Sequence, residues 1–244
     1  MFLLLCQIAL AQPDAATLSA AWQAQQSVMQ TQAFRAVTLT ASDFEQLGQG
    51  KVAKRRIPTP NADRVIGVTW TPHARDSLWI AILDDSDFSL VDSLTEIRLA
   101  DTDWGHKRLY QHLDLPWPVS DRHWVLEIKN NVALAADTQD HIWERVWDLT
   151  SQADIPQGRP EAIWSPINDG GWLLVEAAGG TLVVYHARTK VGGSIPQEAI
   201  DTWAMTTLEG LMRKVTSRAQ DIHTHYTAGH VPIYRPNGTA IDTW

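Results

Sequence analysis

The chain has 244 residues, enough for one large domain of about 200 residues or two small ones. With 44% hydrophobic and 20% charged residues it is neither disordered nor low-complexity, and its formal net charge of −8 argues against nucleic acid, which needs a basic partner surface. A single cysteine, Cys6, excludes a disulfide framework and a Cys-ligated zinc site, while 12 tryptophans against 4 Tyr and 4 Phe leave much large apolar surface to bury in a core, a cavity or an interface.

Residues 2–11 form a short apolar run ending in Ala9-Leu10-Ala11, a small-x-small pattern suited to signal-peptidase cleavage after Ala11. The run is shorter than the roughly 20 apolar residues a membrane span needs. No basic residue precedes it, and Leu5 is bulky where a lipoprotein anchored at Cys6 would carry a small residue. The expectation is an exported protein, periplasmic or secreted. Asp14 to Phe34 is rich in Ala and Gln, with Leu18, Trp22, Gln25, Gln26 and Met29 at helical spacing. Residues 48–63 hold two glycines, two prolines and the basic positions Lys51, Lys54, Arg55 and Arg56, which read as a solvated strand or loop face.

Arg64 to Trp70 alternates as a strand, and Ala74 to Leu83 follows as an amphipathic helix on Leu78, Trp79, Ile82 and Leu83. The acidic turn Asp84-Asp85-Ser86-Asp87 lacks the glycine and distal glutamate of a calcium loop, so it reads as a helix end. From residue 94 the period becomes two. Leu94–Leu99, His106–Leu113, Arg122–Asn131 and His141–Leu149 are expected strands of an antiparallel sheet. Trp124, Leu126 and Ile128 alternate with His123, Glu127 and Lys129, as in a sheet covered on a single side. Gly171–Ala177 and Thr181–Thr189 form a hairpin through Ala178-Gly179-Gly180. The long helix comes last, over about 196–220, with Ile200, Trp203, Ala204, Leu208, Leu211, Met212 and Val215 as a broad apolar stripe. The tail after Tyr226 is expected to be irregular. A one-sided sheet and one long amphipathic helix have a joint solution: an α+β fold in which the sheet curls around the helix.

Four fragments in series sharpen this reading. Leu115-Pro-Trp-Pro-Val-Ser-Asp-Arg-His-Trp-Val125 resembles the signature that opens a central strand of START domains, the steroidogenic-acute-regulatory-related lipid-transfer family, and Gly170-Gly171-Trp172, Gly180-Thr181-Leu182-Val183-Val184-Tyr185 and Gly192-Gly193-Ser194-Ile195-Pro196 resemble, in order, its closing elements. The resemblance covers residues 40–225, after a leader at 1–11 and a helical segment at 12–39, and before an irregular tail at 226–244. It implies a helix-grip fold: a strongly curved antiparallel sheet wrapped around the long C-terminal helix, enclosing an elongated apolar tunnel for one hydrophobic molecule. Some sterol-type members place a buried acid and base in that tunnel. The corresponding positions here are Leu109 and Ile128, both apolar, so polar contacts would come from elsewhere, such as Gln111, Tyr185 or Thr206.

The expected cavity wall is therefore Leu109, Gln111, Trp124, Leu126, Ile128, Leu174, Tyr185, Trp203, Thr206 and Leu211. No catalytic residue, cofactor or metal is expected. There is no Gly-x-Ser-x-Gly elbow, and the glycine pairs sit at turns rather than before a helix. His223 and His225 face about 200° apart on a helix, a poor chelate, with His230 five residues on. His106 and His112 lie too far apart on a strand to share an ion. Asp121, Asp148 and Glu176 are acid–base candidates only generically, and Asp121 with Arg122 reads as a structural ion pair. The expected activity is non-catalytic binding or transfer of a lipid-class molecule by a monomer with transient membrane contact. The alternative is a cyclase- or hydrolase-like enzyme of the same fold acting on an aromatic or polyketide-like substrate, and a third reading is an envelope interaction protein with its cavity filled by its own tryptophans.

Overall fold

The computed structural model describes residues 11–32, 37–84, 93–99 and 103–244. All but one residue of the expected leader, and Asp85–Asp87 of the acidic turn, lie outside them. The helices are α1 (Ala15–Gln32), α2 (Ala41–Gly48), α3 (Arg75–Leu83), α4 (Val132–Asp137), α5 (Gln197–Gln220) and α6 (Ile222–His225). The strands are β1 (Ala53–Ile57), β2 (Arg64–Thr71), β3 (Leu94–Arg98), β4 (His106–Leu113), β5 (Arg122–Asn130), β6 (Ile142–Leu149), β7 (Ile163–Trp164), β8 (Ile167–Ala177) and β9 (Gly180–Lys190).

Among the described residues the strands form one antiparallel sheet in the order β1-β2-β9-β8-β6-β5-β4-β3, with the two-residue β7 running parallel to β5. Ala178 and Gly179 both take positive φ, 52° and 77°, and close the β8–β9 hairpin with the two-residue turn that matches strand twist. The concave face holds α5, which packs on β1, β2, β9 and α3. Leu208 of α5 seats directly on the backbone of β2, where a Cβ at Gly67 would lie 2.9 Å from its side chain. The chain thus has the helix-grip architecture, α+β, with a curved antiparallel sheet around the long C-terminal helix.

Three expectations are corrected. The sheet is not covered on one side only: Leu18, Trp22 and Leu47 of α1 and α2 pack with Leu134 of α4 against Ile66, Val68, Leu173, Val175, Leu182 and Val184 on the convex face. That is why β8 and β9 are buried almost continuously rather than on alternate residues. The basic residues after Lys51 are not a bare solvated face. They lie on edge strand β1, where Lys54 pairs with Glu209 at 3.4 Å and Arg56 with Glu198 at 3.3 Å and Asp201 at 3.8 Å, while Arg55 pairs with Asp43 of α2 at 3.6 Å. The solvent-facing pairs of Lys54 and Arg56 are screened by water, so they set where α5 lies more than how firmly it is held.

The third correction concerns Asp121 and Arg122, whose side chains part. Arg122, only 1% exposed, donates through Nε to Val191 O at 2.6 Å, through Nη2 to Gly192 O at 3.1 Å and through Nη1 to the carbonyls of Asp121 and Ser120. Asp121 instead accepts from Leu115 N at 2.9 Å. One buried guanidinium thus ties the start of β5 to the loop that launches α5. Gly192 and Gly193 in that loop take φ of 68° and 67°, and a Cβ on Gly193 would meet the guanidinium at 3.0 Å.

The tail folds back against α3 rather than over α5. Tyr226 Oη donates to Ile241 O at 3.0 Å, Trp79 Nε1 donates to Tyr234 O at 3.0 Å, and Arg235 holds Asp76 at 2.7 Å. Replacing Arg122 with Ala strands the buried carbonyls of Val191 and Gly192, and should lower unfolding stability by about 3 kcal/mol in urea titration with an unchanged slope.

Candidate functional site

Between α5 and the half of the sheet farthest from its anchorage lies a cavity of about 1050 Å³, partly open to solvent. Its floor is built by side-chain alternation along the strands: Leu109, Gln111 and Leu113 from β4, Trp124, Leu126 and Ile128 from β5, Trp147 from β6, Trp172 from β8 and Tyr185 from β9. Its roof is one stripe of α5, on which Ile200, Trp203, Ala204, Thr207, Leu208 and Leu211 recur three and four residues apart. Ile82 and Leu83 close one end, and Leu115, Pro116 and Val119 border another part of the rim. The ring of Trp147 lies against Gly170, where a Cβ would fall 2.4 Å from it, so Gly170 makes room for an aromatic wall.

Of the ten residues expected on the wall, eight line this cavity: Leu109, Gln111, Trp124, Leu126, Ile128, Tyr185, Trp203 and Leu211. Leu174 does not. It lies two residues beyond Trp172 on the same face of β8, where α3 has already filled the concave side, and it is fully buried in the core with Trp79 and Trp143. Thr206 does not either; it precedes Thr207 by one 100° helical step, is exposed, and donates its hydroxyl to Thr202 O at 2.9 Å. Sequence reasoning missed Trp147, Arg145 and Lys107 as wall residues. The period-two pattern could have placed them, since Arg145 and Trp147 share a face of β6 and Lys107 shares one with Leu109.

The polar groups of the wall are largely engaged within the protein. Gln111 donates to Glu96 and accepts from Trp124 Nε1. Lys107 Nζ donates to Leu83 O at 3.4 Å, and Arg145 Nη1 to Asn130 Oδ1 at 2.7 Å. Asp84, at the end of α3, is buried against Arg218 of α5 at 2.6 Å and His230 of the tail at 3.4 Å. His230 is thereby used by an ion pair rather than with His223 and His225. Tyr185 differs. It is half-buried, its open part facing the cavity, and the water-poor surroundings push its hydroxyl pKa up to about 12.

With this geometry in view, comparison with solved structures is informative. The chain is similar to human StAR-related lipid transfer protein 5 (TM-score 0.56, 11% identity, 84% of this chain and 99% of that one) and to human STARD10 (TM-score 0.55, 9% identity, 78% and 83%). It is also similar to a STAR-related lipid transfer protein fragment from Xanthomonas axonopodis (TM-score 0.54, 23% identity, 70% and 93%). The chain has the START-like helix-grip fold. Its sequence matches no protein-family model and no curated protein.

The convex side of β4 and β5 carries a second polar cluster. His112 Nε2 lies 3.1 Å from Asp121 Oδ2 and 3.2 Å from Asp114 Oδ1, and all three ligand atoms fall within 4.8 Å of one another, the one such group among the described residues. Mutual His–carboxylate pairing satisfies these contacts and closes the base of the 114–121 loop. Tyr110 Oη continues the chain of contacts from His112 Nδ1 at 3.3 Å to His123 Nδ1 at 3.5 Å. Burial, and then the charge of His112, push the pKa of His123 below its ordinary 6.5, and burial does the same at His73. A histidine that resists protonation only when folded gives stability that is present above about pH 6.5 and lost as pH falls below it. The protein should therefore lose stability as pH falls below about 6.5, and His123→Phe should flatten part of that loss in pH-dependent thermal melts; an unchanged slope would contradict it.

Proposed function

We propose that the protein binds one hydrophobic small molecule of the lipid class in the cavity beneath α5 and carries it without altering it. The observation that carries this reading is the wall itself, in which aliphatic and aromatic side chains surround a volume at the upper end of the ~300–1,000 Å³ that encloses a drug-sized guest. Each methylene moved there from water contributes about 0.8 kcal/mol. Carriage rather than catalysis is supported by the ionisable wall groups, which are engaged in ion pairs and hydrogen bonds instead of converging on an open point. Two of the START-like structures above, human StAR-related lipid transfer protein 5 and the Xanthomonas axonopodis fragment, are named for lipid transfer, and the fold likeness adds weight to a lipid-class guest.

Guest entry would involve transient contact with a bilayer. Trp117 is 92% exposed between Pro116 and Val119, which border the cavity, and Trp203 on its roof is 49% exposed. Tryptophan suits the membrane–water interface, and a net charge of −8 directs the contact to zwitterionic rather than anionic lipid. No helix among the described residues is long and apolar enough to cross a membrane. Export by cleavage after Ala11 and a monomeric state belong to the same proposal on sequence grounds.

Native mass spectrometry of the protein purified from its producing cells reads all of these together: a single chain beginning at Gln12, with a small apolar adduct released by organic solvent. Leu126→Trp should occupy part of the cavity and reduce binding of an apolar fluorescent dye at least tenfold while circular dichroism stays unchanged; equal dye binding would sink the cavity reading. Trp117→Ala should weaken co-sedimentation with phosphatidylcholine vesicles several-fold and leave dye binding intact, whereas undiminished co-sedimentation would count against contact at this loop.

A further inference from the structure

One rung of the sheet crosses the cavity floor and is built from hydrogen-bond donors. Arg145 on β6 is paired in register with Trp172 on β8, and Trp172 with Tyr185 on β9. All three line the cavity. The two aromatic rings touch, with centroids 4.7 Å apart at 59°, and Trp147 closes on the far side of Tyr185 at 5.8 Å. The indole N–H groups of neighbouring wall residues have acceptors in the protein: Trp147 Nε1 donates to Asn168 Oδ1 at 3.0 Å, and Trp124 Nε1 donates to Gln111 Oε1. Among the described residues, neither Tyr185 Oη nor Trp172 Nε1 has one. The Tyr185 hydroxyl, with its pKa pushed up to about 12, keeps its proton throughout the physiological range, so it is available as a donor.

Of the three polar contacts the sequence offered, the structure leaves this one. Gln111 is bound on both sides by Glu96 and Trp124, and Thr206 turns outward. A donor facing an apolar hollow is stabilised only by water or by an acceptor on whatever enters. We infer that Tyr185 and Trp172 together form a polar anchor for an acceptor oxygen on the guest. The guest is then an apolar molecule bearing a carbonyl, ether or carboxylate oxygen placed to meet this rung, rather than a plain hydrocarbon or a molecule whose one polar group is a cation. The inference rests on the cavity-binding reading and refines it.

Three probes on one frame separate the outcomes: an alkylpyrene, the same alkylpyrene with a chain ketone, and the same with a terminal carboxylate, each followed by energy transfer from tryptophan to pyrene. At least one oxygen-bearing probe should bind about fivefold more tightly than the hydrocarbon. Tyr185→Phe, which keeps the ring, should abolish that preference, and Trp172→Phe should reduce it. The ketone and carboxylate arms show whether the favoured oxygen is neutral or ionised. Equal binding of all three probes to the native protein, or an undiminished preference in Tyr185→Phe, overturns the anchor while leaving cavity binding standing. Failure of every probe to bind overturns the cavity reading and the anchor with it.

Discussion

A single guanidinium, shut away from water, fixes the geometry on which the cavity depends. The hydrogen-bond donors of Arg122 go to main-chain carbonyls on two segments distant in sequence. Backbone oxygens cannot be repositioned by a rotamer change, so the clamp fixes main chain to main chain. One side is the start of β5, which contributes Trp124, Leu126 and Ile128 to the floor. The other is the pair of left-handed glycines from which α5 departs. Burial itself lowers the affinity of this arginine for its proton, yet a guanidinium stays charged under all ordinary conditions, which lets it satisfy several carbonyls at once.

The hollow exists because α5 is held asymmetrically. Along one flank it is committed to β1, β2, β9 and α3 by Leu208, Met212 and Val215 and by the ion pairs of Lys54 and Arg56. Its opposite flank faces β4 and β5 across a gap too wide for side chains of ordinary size. A sheet with this curvature can be covered on its outer side by small helices without loss, and α1, α2 and α4 do so. The outer layer thereby stabilises the strands while part of the inner face stays unfilled. Packing and hollow lie on opposite faces of the same sheet.

Most of this architecture could be read in advance from periodicity. The 3.6-residue stripe of α5 and the period-two strands β4, β5 and β6 stand where the pattern placed them. Of the convex layer only α1 was legible, from Leu18, Trp22 and Met29 at helical spacing. α2 is eight residues long and α4 six, too short to show a period, and the residues they bury on β8 and β9 look like a uniformly apolar run. The wall was legible wherever alternation alone decides which way a side chain points, as at Leu109, Trp124 and Ile128. It failed at Leu174, since alternation tells the face but not how far along it α3 reaches, and at Thr206, where one helical step separates cavity from solvent. The Arg122 motif was recognisable as a string of letters, but its partners lie about seventy residues away, and no local rule joins them.

Gly67 carries a consequence out of proportion to its size. It does not touch the cavity, yet Leu208 rests on its bare backbone, so it sets the height at which the roof beam sits above the strands. Adding even one carbon there would act as a shim, lifting the beam and enlarging the room beneath by a margin that no contact residue records. The calibre of the hollow is thus governed in part by a position outside its wall.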